Sequence, residues 1–200
     1  MLSSKKSDRA AHRASIDTRE ANRLVDPFRN GDRRWLFGYG SLIYKTDFDW
    51  IARRPAKVRG WVRRLWQGSH DHRGTPDAPG RVATLIRAPD KECVGMAYLI
   101  TRDVLEHLDH REKNGYMRLA LELRFDDATS VEGIAYIAAA DNGAFLGAAS
   151  ECEIARHIAR SSGPSGSNRD YVLHLADSLR QLHADDPHVF AIERELLKLT

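Results

Sequence analysis

The chain has 200 residues, 42% hydrophobic and 30% charged, with 31 Lys/Arg against 28 Asp/Glu and a formal net charge of +3. This length suits one domain with a sizeable core, no apolar run approaches the roughly 18 residues of a membrane span, and the polar N-terminus lacks an apolar signal segment. The positive charge belongs to one end: residues 1–34 hold nine Lys/Arg against five Asp/Glu, and the rest holds 22 against 23, which argues against a folded nucleic-acid-binding surface.

Residues 1–30 read as a basic extension set apart from a single domain over 31–200. Ser3, Ser4, Lys5 and Lys6 are expected to be disordered. The stretch 9–25, rich in Ala and Arg, has a thin apolar face of Ile16, Leu24 and Val25, so a short helix that packs loosely or stays solvated is expected. Asp26-Pro27 and Asn30-Gly31 are turn signals. Trp35-Leu36-Phe37 is a bulky, strand-favouring run that stops at Gly38-Tyr39-Gly40-Ser41, and such a loop bares backbone N–H groups toward an anionic ligand. A surface connection over 46–51 follows. A strand over 57–66 carries a bulge at Gly60, with Arg63-Arg64 read as a solvated face. The polar stretch 67–80, pinned by Pro76 and Pro79, is of a length usually functional or disordered.

Strands are expected at 81–87 and 93–100, joined by a turn at 88–91, the second buried on both faces. Thr101 is read as the cap of a helix running to about Lys113 and stopped by Asn114-Gly115. Strands at 116–125 and 131–138 flank an Asp126-Asp127 turn. Two helices close the chain, over 150–160 and, after a glycine-rich break at 161–166, from 167–168 onward with Tyr171, Leu175, Leu179 and Leu182 as an apolar stripe. Cys93 and Cys152 are far apart and outside any CxxC pair, and read as reduced and structural, which suits a cytoplasmic protein.

On the 101–113 helix, Val104, Leu105 and Leu108 define the apolar face. Glu112 lies about 30° from its centre, Asp109 about 90°, and Glu106 and His110 roughly 150° and 170°. One carboxylate, Glu112, is therefore aimed inward. A desolvated glutamate has a raised pKa and can act as general base and acid; the competing reading is a plain ion pair with Arg111 or Arg118. Gly38-Tyr-Gly-Ser-Leu-Ile43 is no dinucleotide fingerprint, because Ile43 fills the sixth position. Ser41 is no nucleophile elbow, because Tyr39 and Ile43 stand where glycines are needed. His70-x-His72 and His107-x-x-His110 have no further Cys/His set, so no metal is expected.

Together these motifs resemble the ChaC-type, glutathione-specific gamma-glutamylcyclotransferases. The resemblance runs through Trp35-Leu36-Phe37-Gly38-Tyr39-Gly40-Ser41-Leu42-Ile43, Trp66-Gln67-Gly68-Ser69, His72-Arg73-Gly74-Thr75-Pro76 and Pro79-Gly80-Arg81-Val82. It continues in Leu108-Asp109, Arg111-Glu112-Lys113, Gly115-Tyr116, Ser162-Gly163-Pro164-Ser165-Gly166, Asn168 and Tyr171. Order and spacing agree over about 35–193, leaving the extension outside, and His110 departs from the aromatic or apolar residue expected there. The resemblance implies an α+β fold, a small mixed β-barrel flanked by helices. It also implies cleavage of glutathione to 5-oxoproline and cysteinylglycine without a cofactor. Glu112 is then the acid/base, and the loop of Gly38, Tyr39, Gly40, Ser41, Leu42 and Ile43 holds the gamma-glutamyl part. Arg73 is a candidate for pairing with a substrate carboxylate, with a structural role in its loop as the alternative, and Tyr116 is a candidate for the pocket wall.

The expected partner is small-molecule glutathione, with no nucleic acid or membrane; oligomeric state is left open. Two other functions remain to be weighed: cyclisation of other gamma-glutamyl amino acids or amines, and a non-catalytic binding module that keeps the pocket while the basic extension meets a partner.

Overall fold

The computed structural model describes residues 17–24, 26–28 and 31–199. Five strands form a closed barrel: β1 (Arg33–Gly38), β2 (Ala52–Ser69), β3 (Gly80–Thr101), β4 (Tyr116–Arg124) and β5 (Ser130–Ala138), in the order β1-β3-β2-β4-β5. Neighbours are antiparallel except at the closure, where β1 meets β5 in parallel through Trp35↔Gly133 and Leu36↔Ile134. Helices flank the barrel: α1 (Arg19–Arg23), α2 (Val104–Arg111), α3 (Glu151–Ala159), α4 (Asn168–Gln181) and α5 (Pro187–Leu197). This is the α+β barrel that the resemblance implied. No helix among the described residues is long and apolar enough to cross a membrane.

β2 shows why its residues face as they do. Ala56 and Val58 are buried, Gly60 sits at φ +79°, and then Trp61, Arg63, Leu65 and Gln67 are buried. The register with β3 jumps between Arg59 and Trp61. A bulge adds one residue and so exchanges the inward parity, and glycine accepts the positive φ without a Cβ clash. The bulge read at Gly60 is therefore present, but the solvated face read for Arg63 is overturned: Arg63 is 2% exposed.

Three further expectations are corrected. The 88–91 turn does not end a strand: β3 runs unbroken from Gly80 to Thr101, and 88–91 bows out opposite Gly60. Thr101 is the last residue of that strand and caps nothing; α2 starts after Asp103. A third closing helix, α5, follows α4, with the Asp186 side chain accepting from the Val189 N–H and Pro187 in its first turn. The 93–100 stretch is nearly all buried as expected, and α3 opens with a Ser150/Glu153 capping box.

The disorder expected at Ser3, Ser4, Lys5 and Lys6, and the apolar contributions of Ile16 and Val25, lie outside the described residues. In the described part of the extension Leu24 is 83% exposed, as a solvated segment would have it, whereas Asn22 and Phe28 are buried against the body.

Candidate functional site

β1 ends at Gly38, where the chain folds back so tightly that a Cβ would lie 2.7 Å from the Leu42 Cβ. Tyr39 turns inward, and its hydroxyl donates to the Tyr136 carbonyl at 2.5 Å. A 3₁₀ turn, Ser41–Ile43, follows. Its first hydrogen bond runs from the Ile43 N–H to the Gly40 carbonyl at 3.1 Å, so the N–H groups before it are those a helix start leaves open. Two buried donors fix this loop from behind. Arg63 Nε donates to the Tyr39 carbonyl at 2.6 Å, and the Tyr98 hydroxyl to the Leu42 carbonyl at 2.6 Å. Arg63 itself pairs with Asp186 at 2.6 Å.

Glu112 is the first residue past α2; its N–H still closes the helix onto the Leu108 carbonyl at 2.8 Å. Its side chain is 18% exposed. Burial pushes its carboxyl above the usual range, Arg111 opposes the rise, and Asp47 and Asp71 add to it. Arg111 Nε lies 3.2 Å from Glu112 Oε1, so the ion-pair reading holds in part. The same guanidinium also donates to Ser41 Oγ at 3.0 Å and pairs with Asp47. Ser41 thus faces a cation and not a base, which is the wrong setting for a nucleophile.

Three phenols stand behind these groups. The Tyr116 hydroxyl donates to the Ala83 carbonyl at 2.7 Å, and the Tyr171 hydroxyl accepts from the Ala83 N–H at 3.1 Å. Burial raises Tyr39 and Tyr116 well above the ordinary phenol value and Tyr171 up to about 12, so all three are neutral. At the rim, the 70–79 loop meets a small hairpin of β6 (Ser162–Gly163) and β7 (Gly166–Ser167). Arg73 Nη1 donates to the Ser165 carbonyl at 2.7 Å and the Ser167 carbonyl at 3.2 Å, with its guanidinium 5.6 Å from the Tyr171 ring centre.

These elements enclose a pocket of about 220 Å³. Tyr39, Gly40, Ser41, Leu42, Arg73, Glu112 and Tyr116 all line it. Gly38 and Ile43 do not: Gly38 makes the turn, and Ile43 is buried in the core. The arrangement sets one desolvated carboxylate beside open backbone N–H groups and cationic Arg73 and Lys45, a place for a small substrate that carries carboxylates and must move a proton.

The sequence reading missed several members of the site. Asp109 is buried but lies behind the pocket and does not line it, accepting from the Tyr136 hydroxyl at 2.5 Å and lying 3.5 Å from Arg118. Tyr171, read as core stripe, shows the pocket its hydroxyl. Arg63, Asp47 and Lys45 carried no local signal. His110 is exposed, and His107 pairs with Asp47 at 3.4 Å; among the described residues no three His, Cys, Asp or Glu gather as a metal site.

The sequence model of the family described as ChaC-like protein matches residues 34–199. Gamma-glutamylcyclotransferase 2-3 of Arabidopsis thaliana is 44% identical over 167 residues, covering 78% of this chain and 84% of its own. Glutathione-specific gamma-glutamylcyclotransferase 1 of Danio rerio is 40% identical over 173 residues, covering 82% and 88%. A crystal structure of a yeast gamma-glutamyl cyclotransferase specific to glutathione superposes with a TM-score of 0.78 at 32% identity, over 84% of this chain and 97% of that one.

Proposed function

The chain belongs to the ChaC-like protein family, and from that premise we propose that it is a lyase that cyclises the gamma-glutamyl group of glutathione, releasing 5-oxoproline and cysteinylglycine. One observation carries the reading: the Glu112 carboxylate and the 39–42 loop line the same pocket.

The substrate brings its own nucleophile. Its α-amine attacks its γ-carbonyl carbon, the new C–N bond closes a five-membered ring, and the bond to the cysteine nitrogen breaks. Nothing is added or lost, so water and cofactor have no part. The amine gives up a proton before or during attack, and the leaving nitrogen needs one. Glu112 carries that proton between them, and its raised pKa suits a group that must both accept and release. The pocket's other work is to fold the substrate into an attacking pose, which is worth several orders of magnitude in rate. The open N–H groups of the 39–42 loop receive the α-carboxylate or the developing oxyanion. Arg73 keeps a guanidinium edge for a substrate carboxylate while Nη1 holds the rim hairpin, and Tyr116 forms the wall.

Incubation with glutathione should yield 5-oxoproline, and no product from folded protein overturns the reading. Glu112→Gln should fold and lose turnover by about 10²–10⁴-fold; retained turnover assigns the proton to another group. A panel of gamma-glutamyl amino acids and amines distinguishes glutathione from the sister substrates. The reading calls for no nucleic-acid or membrane partner. Free Cys93, which is buried, and free Cys152 suit a reducing cytoplasm.

A further inference from the structure

The backbone that follows Glu112 is held by a segment outside the matched family span, which begins at residue 34. Asp17 forms a β-bridge with Asn114. The Thr18 N–H donates to the Lys113 carbonyl at 2.9 Å. The Thr18 hydroxyl is shared between the carbonyls of Lys113 at 3.1 Å and Tyr116 at 2.8 Å. Asn22 Nδ2 donates to the Tyr116 carbonyl at 3.1 Å, and its Oδ1 accepts from the Arg118 N–H at 2.8 Å. From the opposite side Gln67 Nε2 donates to the Asn114 carbonyl at 3.2 Å. The carbonyls of 113, 114 and 116 are therefore all engaged from outside the turn.

This matters because Glu112 has no helix beyond it. α2 ends at Arg111, so Glu112 is held by the helix on its N-terminal side, through its N–H bond to the Leu108 carbonyl, and on its C-terminal side only by where 113–116 run. Tyr116, which enters the same pocket, starts β4 from the carbonyl that Thr18 and Asn22 hold. Asn22 is 1% exposed: both ends of its amide are spent on this backbone, which a solvated tail would not do.

We infer that Thr18 and Asn22 are positioning residues for Glu112 and Tyr116, so that the stretch preceding the family span belongs to the working site. The inference rests on Glu112 as the acid/base. A positioning group acts on the rate of the chemical step more than on substrate capture, because small misplacements of a reacting group are costly.

The test compares Thr18→Val with Thr18→Ser in the full chain, by steady-state 5-oxoproline kinetics and thermal melting. Thr18→Val keeps the shape and deletes the shared hydroxyl. Its kcat should fall about tenfold with KM within about twofold, and Thr18→Ser should lie within about twofold of the parent. A Thr18→Val protein with parental kcat overturns the inference, whether or not its melting temperature has fallen. Equal losses in both variants also overturn it, because the hydroxyl is then not the agent. If Thr18→Val does not fold, Asn22→Asp, which turns the donor facing Tyr116 into an acceptor, is read in the same way. Glu112→Gln separates the two failures: turnover surviving there removes the acid/base reading, whereas a dead Glu112→Gln beside an unslowed Thr18→Val removes only the positioning role.

Discussion

Arg63 puts a full positive charge inside the barrel wall, which is tolerable only with every donor matched. Its partners are the Tyr39 carbonyl, the Val94 carbonyl and Asp186, whose other oxygen accepts from the Val189 N–H at the start of α5. Arg63→Met fills the space but leaves Asp186 buried and uncompensated. Breaking a buried pair in this way costs about 3–5 kcal/mol, so urea denaturation should show a loss of that size, with kcat/KM falling because the Tyr39 carbonyl is released. An unchanged midpoint would show that the pair does not hold the loop. The inward aim of Arg63 was legible once the Gly60 bulge was followed through, since the parity flip puts 61, 63, 65 and 67 on one face. Its partner was not, because Asp186 lies 123 positions away. Glu112 was legible as an angle on a helix. Asp109 was not, because at the edge of the apolar face its fate is decided by Tyr136 and Arg118 arriving from the sheet.

α5 is an element whose start was readable, with Asp186 at the cap, Pro187 in the first turn and Val189, Ile192 and Leu196 at helical spacing. The continuity of β3 was harder: Ala88-Pro89-Asp90-Lys91 has turn chemistry, and the strand is carried past it only by the β2 pairs on either side, Arg59↔Glu92 and Trp61↔Arg87. α5 also presents His188 to β2, where His188 Nε2 accepts from the Leu65 N–H at 3.1 Å and Nδ1 lies 3.3 Å from Glu151 Oε1. The acceptor role requires a neutral ring. Burial and nearby Arg64 lower its pKa from the ordinary 6.5, against the opposing pull of Glu151 and Asp186. A depressed folded pKa means that the contribution is complete above about pH 6.5 and is lost as pH falls through the folded value. The melting-temperature advantage of the parent over His188→Gln should therefore shrink between pH 7 and pH 5. An advantage that grows toward acid would show that the ring is charged in the fold.

The pocket is assembled from the end of β1, the exit of α2, the starts of β4 and α4, and two rim loops, so no single window of sequence contains it. The dispersed motifs still located it, because each marks one of those pieces. The strand order and the parallel closure of β1 on β5 were invisible, since two residue pairs make that closure and the order does not follow the chain. What holds the pocket's mouth is equally non-local. The Ser165 N–H donates to the His72 carbonyl at 2.9 Å, and His72 Nδ1 meets Ser165 Oγ at 3.0 Å. This contact is possible only because residue 163 has no side chain. A Cβ there would lie 2.4 Å from the His72 carbonyl oxygen and 2.6 Å from both the N and O of Gly74. All three obstacles are backbone, so Gly163→Ala must push the loops apart and draw Arg73 from the Ser165 carbonyl. Overpacking of this kind costs roughly 1–3 kcal/mol, and thermal melting should register it. Because Glu112 and the 39–42 loop lie deeper, the kinetic effect should fall on capture: KM for glutathione should rise several-fold while kcat changes less. A Gly163→Ala enzyme with lowered melting temperature and unchanged KM would mean that the joined loops stabilise the fold without shaping the pocket.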